Sequence, residues 1–241
     1  MAVNRSREEW KIYGNVFDKF TINLLRKLSA QGYFEELESS IAIGKEANVF
    51  IASTKSDKKV IVKIYRLENC NFNKMLIYLK QDPRYINMRK NRRDIIFNWV
   101  QREYRNLILA REVIKVPTPI AFKNNVLIME LIGDPIAPEL RKGIPEDPQA
   151  FLDQTLKNIK LLWDKGLVHG DMSAFNILND SDHPVFIDFS QGTTTNSYDA
   201  KDLLTRDLKN LNAFFTKQNC SFDVEKEFEK VVKLSLKPKP I

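Results

Sequence analysis

Asp171 lies in Val168-His169-Gly170-Asp171, Asn176 follows within the same loop, and Asp188 closes the run Pro184-Val185-Phe186-Ile187-Asp188. This order of residues constrains the fold more than any other feature of the chain. Asn176-Ile177-Leu178 and Pro184–Asp188 read as short strands on either side of the polar turn Asp180-Ser181-Asp182-His183. A loop and a hairpin must therefore bring together a carboxylate, an amide and a second carboxylate. Those types suit phosphoryl transfer: a carboxylate orients the attacking oxygen, and hard oxygen ligands hold Mg2+ against phosphates. The spacing is that of the kinase template, with a base Asp, a metal-binding Asn and a further metal-binding Asp on a later strand.

Two more residues break apolar patterns upstream. Lys63 interrupts the β-branched run Val60-Ile61-Val62-Lys63-Ile64-Tyr65, sharing a face with Ile61 and Tyr65. Alone it reads equally as an edge-strand lysine whose ammonium reaches water. Glu103 interrupts the stripe Ile96, Trp99, Val100, Tyr104, Leu107 of a helix expected over Arg92–Glu112. A carboxylate there calls for a cation. Strand lysine followed by helix glutamate is the order of the ion pair that orients nucleotide phosphates. Ile43-Gly44-Lys45-Glu46-Ala47-Asn48 precedes that strand, where a phosphate-covering loop belongs. With a single glycine it is neither a Walker A loop nor GxGxxG. It is either a polar hairpin turn or a place where Gly44, Lys45 and nearby backbone N–H groups face phosphate.

The remaining pattern gives a β-rich first half and an α-rich second half. Val16–Leu37 has helical spacing, stopped by Gly32, with room for a short second helix. Val49–Ala52 and Val60–Tyr65 are strands, and Pro119–Phe122 with Val126–Glu130 forms a hairpin around Lys123-Asn124-Asn125. Residues 67–90 read as a loop. Asp147 is the expected N-cap and Pro148 the first residue of a helix ended by Gly166; Tyr198–Lys217 and Val224–Leu234 are further helices. His169 is expected to brace the backbone beside Asp171, since kinases take the proton with the Asp; His183 falls in a turn at the surface.

Among 241 residues, 43% hydrophobic and 29% charged residues are ordinary for a globular protein with a real core. No apolar run approaches the roughly 18 residues of a membrane span. The charged start lacks the apolar segment of a secretion signal. Cys70 and Cys220 are isolated, which argues against zinc and for a reduced, cytoplasmic setting. The net charge of +7 permits an anionic partner such as RNA. The cluster Arg89-Lys90-Asn91-Arg92-Arg93 opposes the dipole of the helix it begins, which points the same way.

These segments together resemble the RIO kinases, and within them the Rio1 branch in its archaeal form. The residues that carry the likeness are Ile43–Phe50, Trp99-Val100-Gln101-Arg102-Glu103-Tyr104-Arg105-Asn106-Leu107, Leu167–Asn176, Ile187-Asp188-Phe189-Ser190-Gln191, and Arg206-Asp207-Leu208-Lys209-Asn210 with Phe214-Phe215. The resemblance implies a bilobal, protein-kinase-like α+β fold: an N-terminal helical segment (1–38), an N-lobe (39–130), a hinge (131–135) and a truncated C-lobe (136–241). No Ala-Pro-Glu follows Asp188, so activation segment and peptide-docking helices are expected to be missing. The resemblance also implies ATP and Mg2+ as cofactors, Asp171 as catalytic base, and Asn176 and Asp188 as Mg2+ ligands. It gives Lys63 to the phosphates, Glu103 to Lys63, the backbone of Glu130 and Ile132 to adenine, and Met129 the gatekeeper place. Asp188 is the expected phosphoaspartate in ATP hydrolysis, and a pre-small-subunit ribosomal particle the expected partner. Ala42, Ile43, Gly170 and Ala174 depart from the Rio1 pattern. His-Gly-Asp with Asn176 also resembles small-molecule phosphotransferases of the aminoglycoside and choline kinase type, and a nucleotide-binding scaffold is the non-enzymatic alternative.

Overall fold

A computed structural model of the chain describes residues 17–68, 70–85 and 87–233. By backbone proximity the chain divides into two units. Of the described residues, the first holds those up to Leu79, Asn87–Tyr104 and Thr118–Leu131; the second holds those from Lys80 to Tyr85, Arg105–Pro117 and those from Ile132 on.

The first unit is built on an antiparallel sheet of five strands in the order β1-β2-β3-β5-β4. These are β1 (Glu36–Ile43), β2 (Ala47–Ser53), β3 (Lys59–Tyr65), β4 (Pro119–Lys123) and β5 (Val126–Glu130). Alternation along β3 sends Val60, Val62 and Ile64 into one layer with Phe50, Ala52, Val126 and Ile128. Helix α1 (Lys19–Ala30) covers that layer with Leu24, Leu25 and Leu28. Each fully buried leucine or phenylalanine here contributes roughly 1.5–3 kcal/mol. Asp18 caps α1 by accepting the Thr21 N–H at 3.1 Å. The Thr21 hydroxyl donates to Asp18 at 2.6 Å and accepts from Asn125 Nδ2 at 3.0 Å, tying the helix start to the β4–β5 turn.

Ile61, Lys63 and Tyr65 leave β3 on the other side, toward helix α3 (Arg92–Arg111). Trp99, Val100 and Glu103 of α3 are buried there. Two expectations fail in this unit. The short second helix before Leu37 is β1 instead. Only Leu37 is buried along that strand, so the alternation that marks a half-buried strand is missing from it. The expected loop at 67–90 contains helix α2 (Phe72–Gln81), whose Met75, Tyr78 and Leu79 are buried, and a single 3-10 turn at Pro83–Tyr85. Met75 and Leu79 stand one helical turn apart, a pattern too short to outweigh the polar residues around it.

The second unit carries α4 (Pro148–Asp164), α5 (Ala200–Thr216) and α6 (Val224–Val232). With them are β6 (Leu167–Val168) paired to β9 (Thr193–Thr194), and the hairpin of β7 (Ile177–Asp180) with β8 (His183–Phe186). Asp147 caps α4 by accepting the N–H groups of Gln149 and Ala150 at 3.1 and 2.9 Å, Pro148 opens the helix, and Gly166 follows its end at φ +87°, as expected. Ser181 and Asp182 both have positive φ, 52° and 61°, the geometry of a tight type I′ hairpin turn. The strand expected to reach Asp188 stops at Phe186. Ile187 donates its N–H to the Asn176 carbonyl at 3.0 Å, and Asp188 turns into the left-handed region at φ 61°, ψ 66°. The last residue of the helix expected to Leu234 lies outside the described residues.

Candidate active site

In the first unit Lys63 sits on β3, between β2 and β5, and is only 6% exposed, so the edge-strand reading is excluded. Its ammonium donates to Glu103 Oε1 at 2.7 Å, and the Tyr65 hydroxyl donates to Glu103 Oε2. Both oxygens of a fully buried carboxylate are thereby engaged. Desolvating two charges costs several kcal/mol per ion, offset only by good geometry and extra hydrogen bonds, and Tyr65 supplies one. Its ring also lies 5.2 Å from the ammonium. Tyr65 shares the strand face with Lys63 in the sequence pattern, but nothing in its residue type announces a hydroxyl aimed at Glu103.

Gly44 closes the turn between β1 and β2 by donating its N–H to the Ala47 carbonyl at 2.9 Å. A Cβ at this position would stand 2.9 Å from that same oxygen, so the turn requires glycine. Lys45 is exposed at its tip. Asn48 is buried, its amide oxygen accepting from Arg66 Nη2 at 3.2 Å. At the end of β5, Glu130 donates its N–H to the Thr118 carbonyl at 2.9 Å and accepts the Thr118 N–H on Oε2 at 3.0 Å. In the second unit Ile132 is buried and its carbonyl accepts from Ala137 at 2.9 Å.

The second unit holds the loop that runs from Asp171 to Asn176. Asn176 donates through Nδ2 to the Asp171 carbonyl at 2.7 Å and to Asp171 Oδ2 at 3.2 Å. The Asn176 carbonyl takes the Ile187 N–H at 3.0 Å, so Asn176 is bonded both to Asp171 and to the backbone one residue before Asp188. Asp188 Oδ1 accepts from the Ser190 hydroxyl at 2.7 Å. Asp171, Asn176 and Asp188 are partly exposed, whereas Val168, His169, Gly170 and Met172 are buried. His169 braces the backbone: Nε2 donates to the Ile187 carbonyl at 2.9 Å, and Nδ1 accepts the Asp171 N–H at 3.3 Å. Its ring packs 4.6 Å from that of Phe189. Gly170, at φ +76°, approaches the Gln191 carbonyl so closely that a Cβ would lie 3.0 Å from it.

Three residues of α5 hold this loop from beneath. Asp207 accepts the N–H groups of Gly170 and Met172, both at 2.8 Å. Arg206 donates to the Gly170 carbonyl, and Asn210 donates to the Met172 carbonyl at 3.2 Å. Burial pushes the Asp207 carboxyl up to about 7 against the pull of its two N–H bonds. Asn106 donates to the carbonyls of Phe189 and Gly192 at 2.9 and 2.8 Å, holding the segment after Asp188. Asp207 and Asn106 stand inside segments that carry the family likeness, but their positioning roles show only once backbone partners are visible.

The profile of the RIO domain matches residues 48–230. The chain is 35% identical over 228 residues to the RIO-type serine/threonine-protein kinase Rio1 of Haloferax volcanii, covering 93% of this chain and 79% of that one. It is 38% identical over 220 residues to the Rio1 protein of Methanocaldococcus jannaschii, covering 89% and 76%. Its fold superimposes on the Rio2 kinase of Chaetomium thermophilum with a TM-score of 0.66 and 24% identity, covering 87% of this chain and 65% of that one. The sheet-rich first part and helical second part are thus the α+β, protein-kinase-like fold. The chain belongs to the RIO family of serine/threonine-protein kinases.

Proposed function

We propose that the chain binds ATP with Mg2+ and transfers the γ-phosphoryl group, to a protein hydroxyl or through Asp188 to water, in the cytoplasm during small ribosomal subunit maturation. One observation carries this reading: Asn176 is bonded to Asp171 through its amide nitrogen and to the Asp188 segment through its carbonyl. With its amide nitrogen given to Asp171, Asn176 would offer its amide oxygen, and Asp188 its carboxylate, as hard-oxygen ligands suited to Mg2+. When bound, Mg2+ neutralises charge on the phosphates.

The chain's own residues supply the rest. Lys63, held by Glu103 and Tyr65, presents its ammonium to phosphate oxygens. Thr118 already takes the Glu130 N–H and Ala137 the Ile132 carbonyl, so adenine is read by the Glu130 carbonyl and the Ile132 N–H. Met129 precedes Glu130 on β5. Gly44 and Lys45 approach the phosphates from the β1–β2 turn. Asp171 orients the acceptor hydroxyl and takes its proton as the new O–P bond forms and the bond to the ADP oxygen breaks. In hydrolysis an Asp188 oxygen attacks the γ-phosphorus and ADP leaves. Water then cleaves the acyl phosphate, releasing phosphate and restoring the carboxylate. The Chaetomium Rio2 protein is described as an ADP/Mg2+-phosphoaspartate complex, which supports the second route.

The test is ATP turnover with and without purified small-subunit particles. Asp171→Ala is expected to lower turnover by roughly 10²–10⁴-fold, and Asp188→Ala to abolish hydroxylamine-labile label. Unchanged turnover in Asp171→Ala would overturn the assignment.

A further inference from the structure

The starts of α2 and α3 flank a groove in the first unit, lined by Cys70, Asn71, Phe72 and Asn73 on one side and by Lys90 and Arg92 on the other. Among the described residues no carboxylate lines it. Arg89, Lys90, Arg92 and Arg93, with Lys74 on α2, are exposed, and none of them forms an ion pair among the described residues.

Folding does not account for these charges. Arg92 and Arg93 stand in the first turn of α3, the positive end of the helix dipole, where cations are unfavourable. The first-turn acid, Asp94, is held in the helix cap by Asn91, which accepts its N–H at 3.0 Å and donates to its carboxylate at 2.6 Å. α2 has no acid in its first turn. The Cys70 thiol, pushed up to about 11 by burial and then by Glu46, stays neutral and adds no negative charge. Positive potential therefore accumulates in the groove with nothing in this unit's own lining to offset it.

The shape of the cationic groups narrows the ligand. The Arg92 guanidinium lies 5.2 Å from the Phe72 ring centroid. Outside the groove's lining, the Arg93 guanidinium lies 5.2 Å from the Phe20 ring centroid, and Phe20 stacks on Phe97 at 6.0 Å and 18°. Flat guanidinium and aromatic surfaces stack unpaired bases, and lysine ammonium groups beside them meet phosphates. A phosphopeptide would call for the charge but not for the stacking surfaces.

We propose that this groove binds single-stranded RNA and is a surface through which the protein contacts ribosomal RNA. Only the second half rests on the ribosomal part of the proposed function. The test uses the full chain, without nucleotide, and a fluorescently labelled single-stranded RNA oligonucleotide followed by anisotropy across a salt series. Lys90→Glu/Arg92→Glu is expected to weaken binding at least tenfold and to reduce the slope of log K against log salt by about 1.4. Lys55→Glu/Lys58→Glu, in the β2–β3 turn, is expected to bind as wild type. Thermal melts accompany each protein, and Lys90→Gln/Arg92→Gln replaces the charge reversal if that variant does not fold. Equal binding by wild type and the groove variant, equal loss in the turn variant, or tighter binding of a phosphopeptide than of RNA would overturn the proposal. Co-sedimentation with small-subunit particles separates the two readings. Oligonucleotide binding through the groove without co-sedimentation leaves the groove standing and removes the ribosomal role. Co-sedimentation that the groove variant retains leaves the ribosomal role standing and overturns the groove as the surface that contacts ribosomal RNA.

Discussion

Glu103, itself fully buried, holds Lys63 and Tyr65 with its two oxygens. Removing its charge leaves the lysine buried beside a neutral amide. Glu103→Gln is therefore expected to destabilise the protein by about 3–5 kcal/mol in chemical denaturation and to weaken ATP binding. A variant as stable as wild type would show that the pair is not the buried contact described. Asp207 makes a different kind of prediction. Its carboxyl is pushed up from 3.8 to about 7, so the folded chain holds the proton more tightly than the unfolded chain. The stability linked to that proton is present in full below 3.8 and is lost as pH rises through about 7. Asp207→Asn is expected to flatten the fall in Tm across that window. It should also lower kcat by roughly tenfold, because an amide NH2 turned toward the Gly170 or Met172 N–H loosens the loop under Asp171. A Tm profile as steep as that of wild type would rule out Asp207 as the titrating group.

At the scale of elements, the loops that carry chemistry are held by residues from other elements. Asn106→Leu leaves the Phe189 and Gly192 carbonyls without their side-chain donor, a loss of about 1–3 kcal/mol, and is expected to lower turnover more than ATP binding. Equal effects on both would place Asn106 outside the positioning of Asp188. Asp147→Ala removes the cap of α4 at a cost of about 1 kcal/mol; unchanged turnover with a lowered Tm would mark it as purely structural. The same scale shows what could be read from residues alone. The α4 cap, the two hairpins and the Lys63 strand were legible because cap chemistry and alternation are local. β1 was not, since Leu37 alone is buried along it. α2 was not, since its few buried residues sit among Asn71, Asn73, Lys74 and Lys80. Asp171, Asn176 and Asp188 stood out by spacing, whereas Tyr65, Asn106 and Asp207 act on partners distant in sequence.

Over the whole molecule, the absence of Ser and Thr from Asp57 through Pro117 leaves Tyr78 and Tyr85 as the hydroxyl acceptors within residues 67–90, and both are buried. Phosphopeptide mapping after incubation with ATP is expected to find label outside this stretch or on Asp188; label on either tyrosine would contradict the burial described. In the proposed function Asn176 and Asp188 serve one metal-bound phosphate site with Asp171. Calorimetric titration of ADP with and without Mg2+ tests it most directly. Mg2+ is expected to tighten ADP binding to the wild type, and Asn176→Ala and Asp188→Asn are each expected to lose most of that gain while keeping metal-free affinity. Variants that retain the full Mg2+ dependence would contradict it.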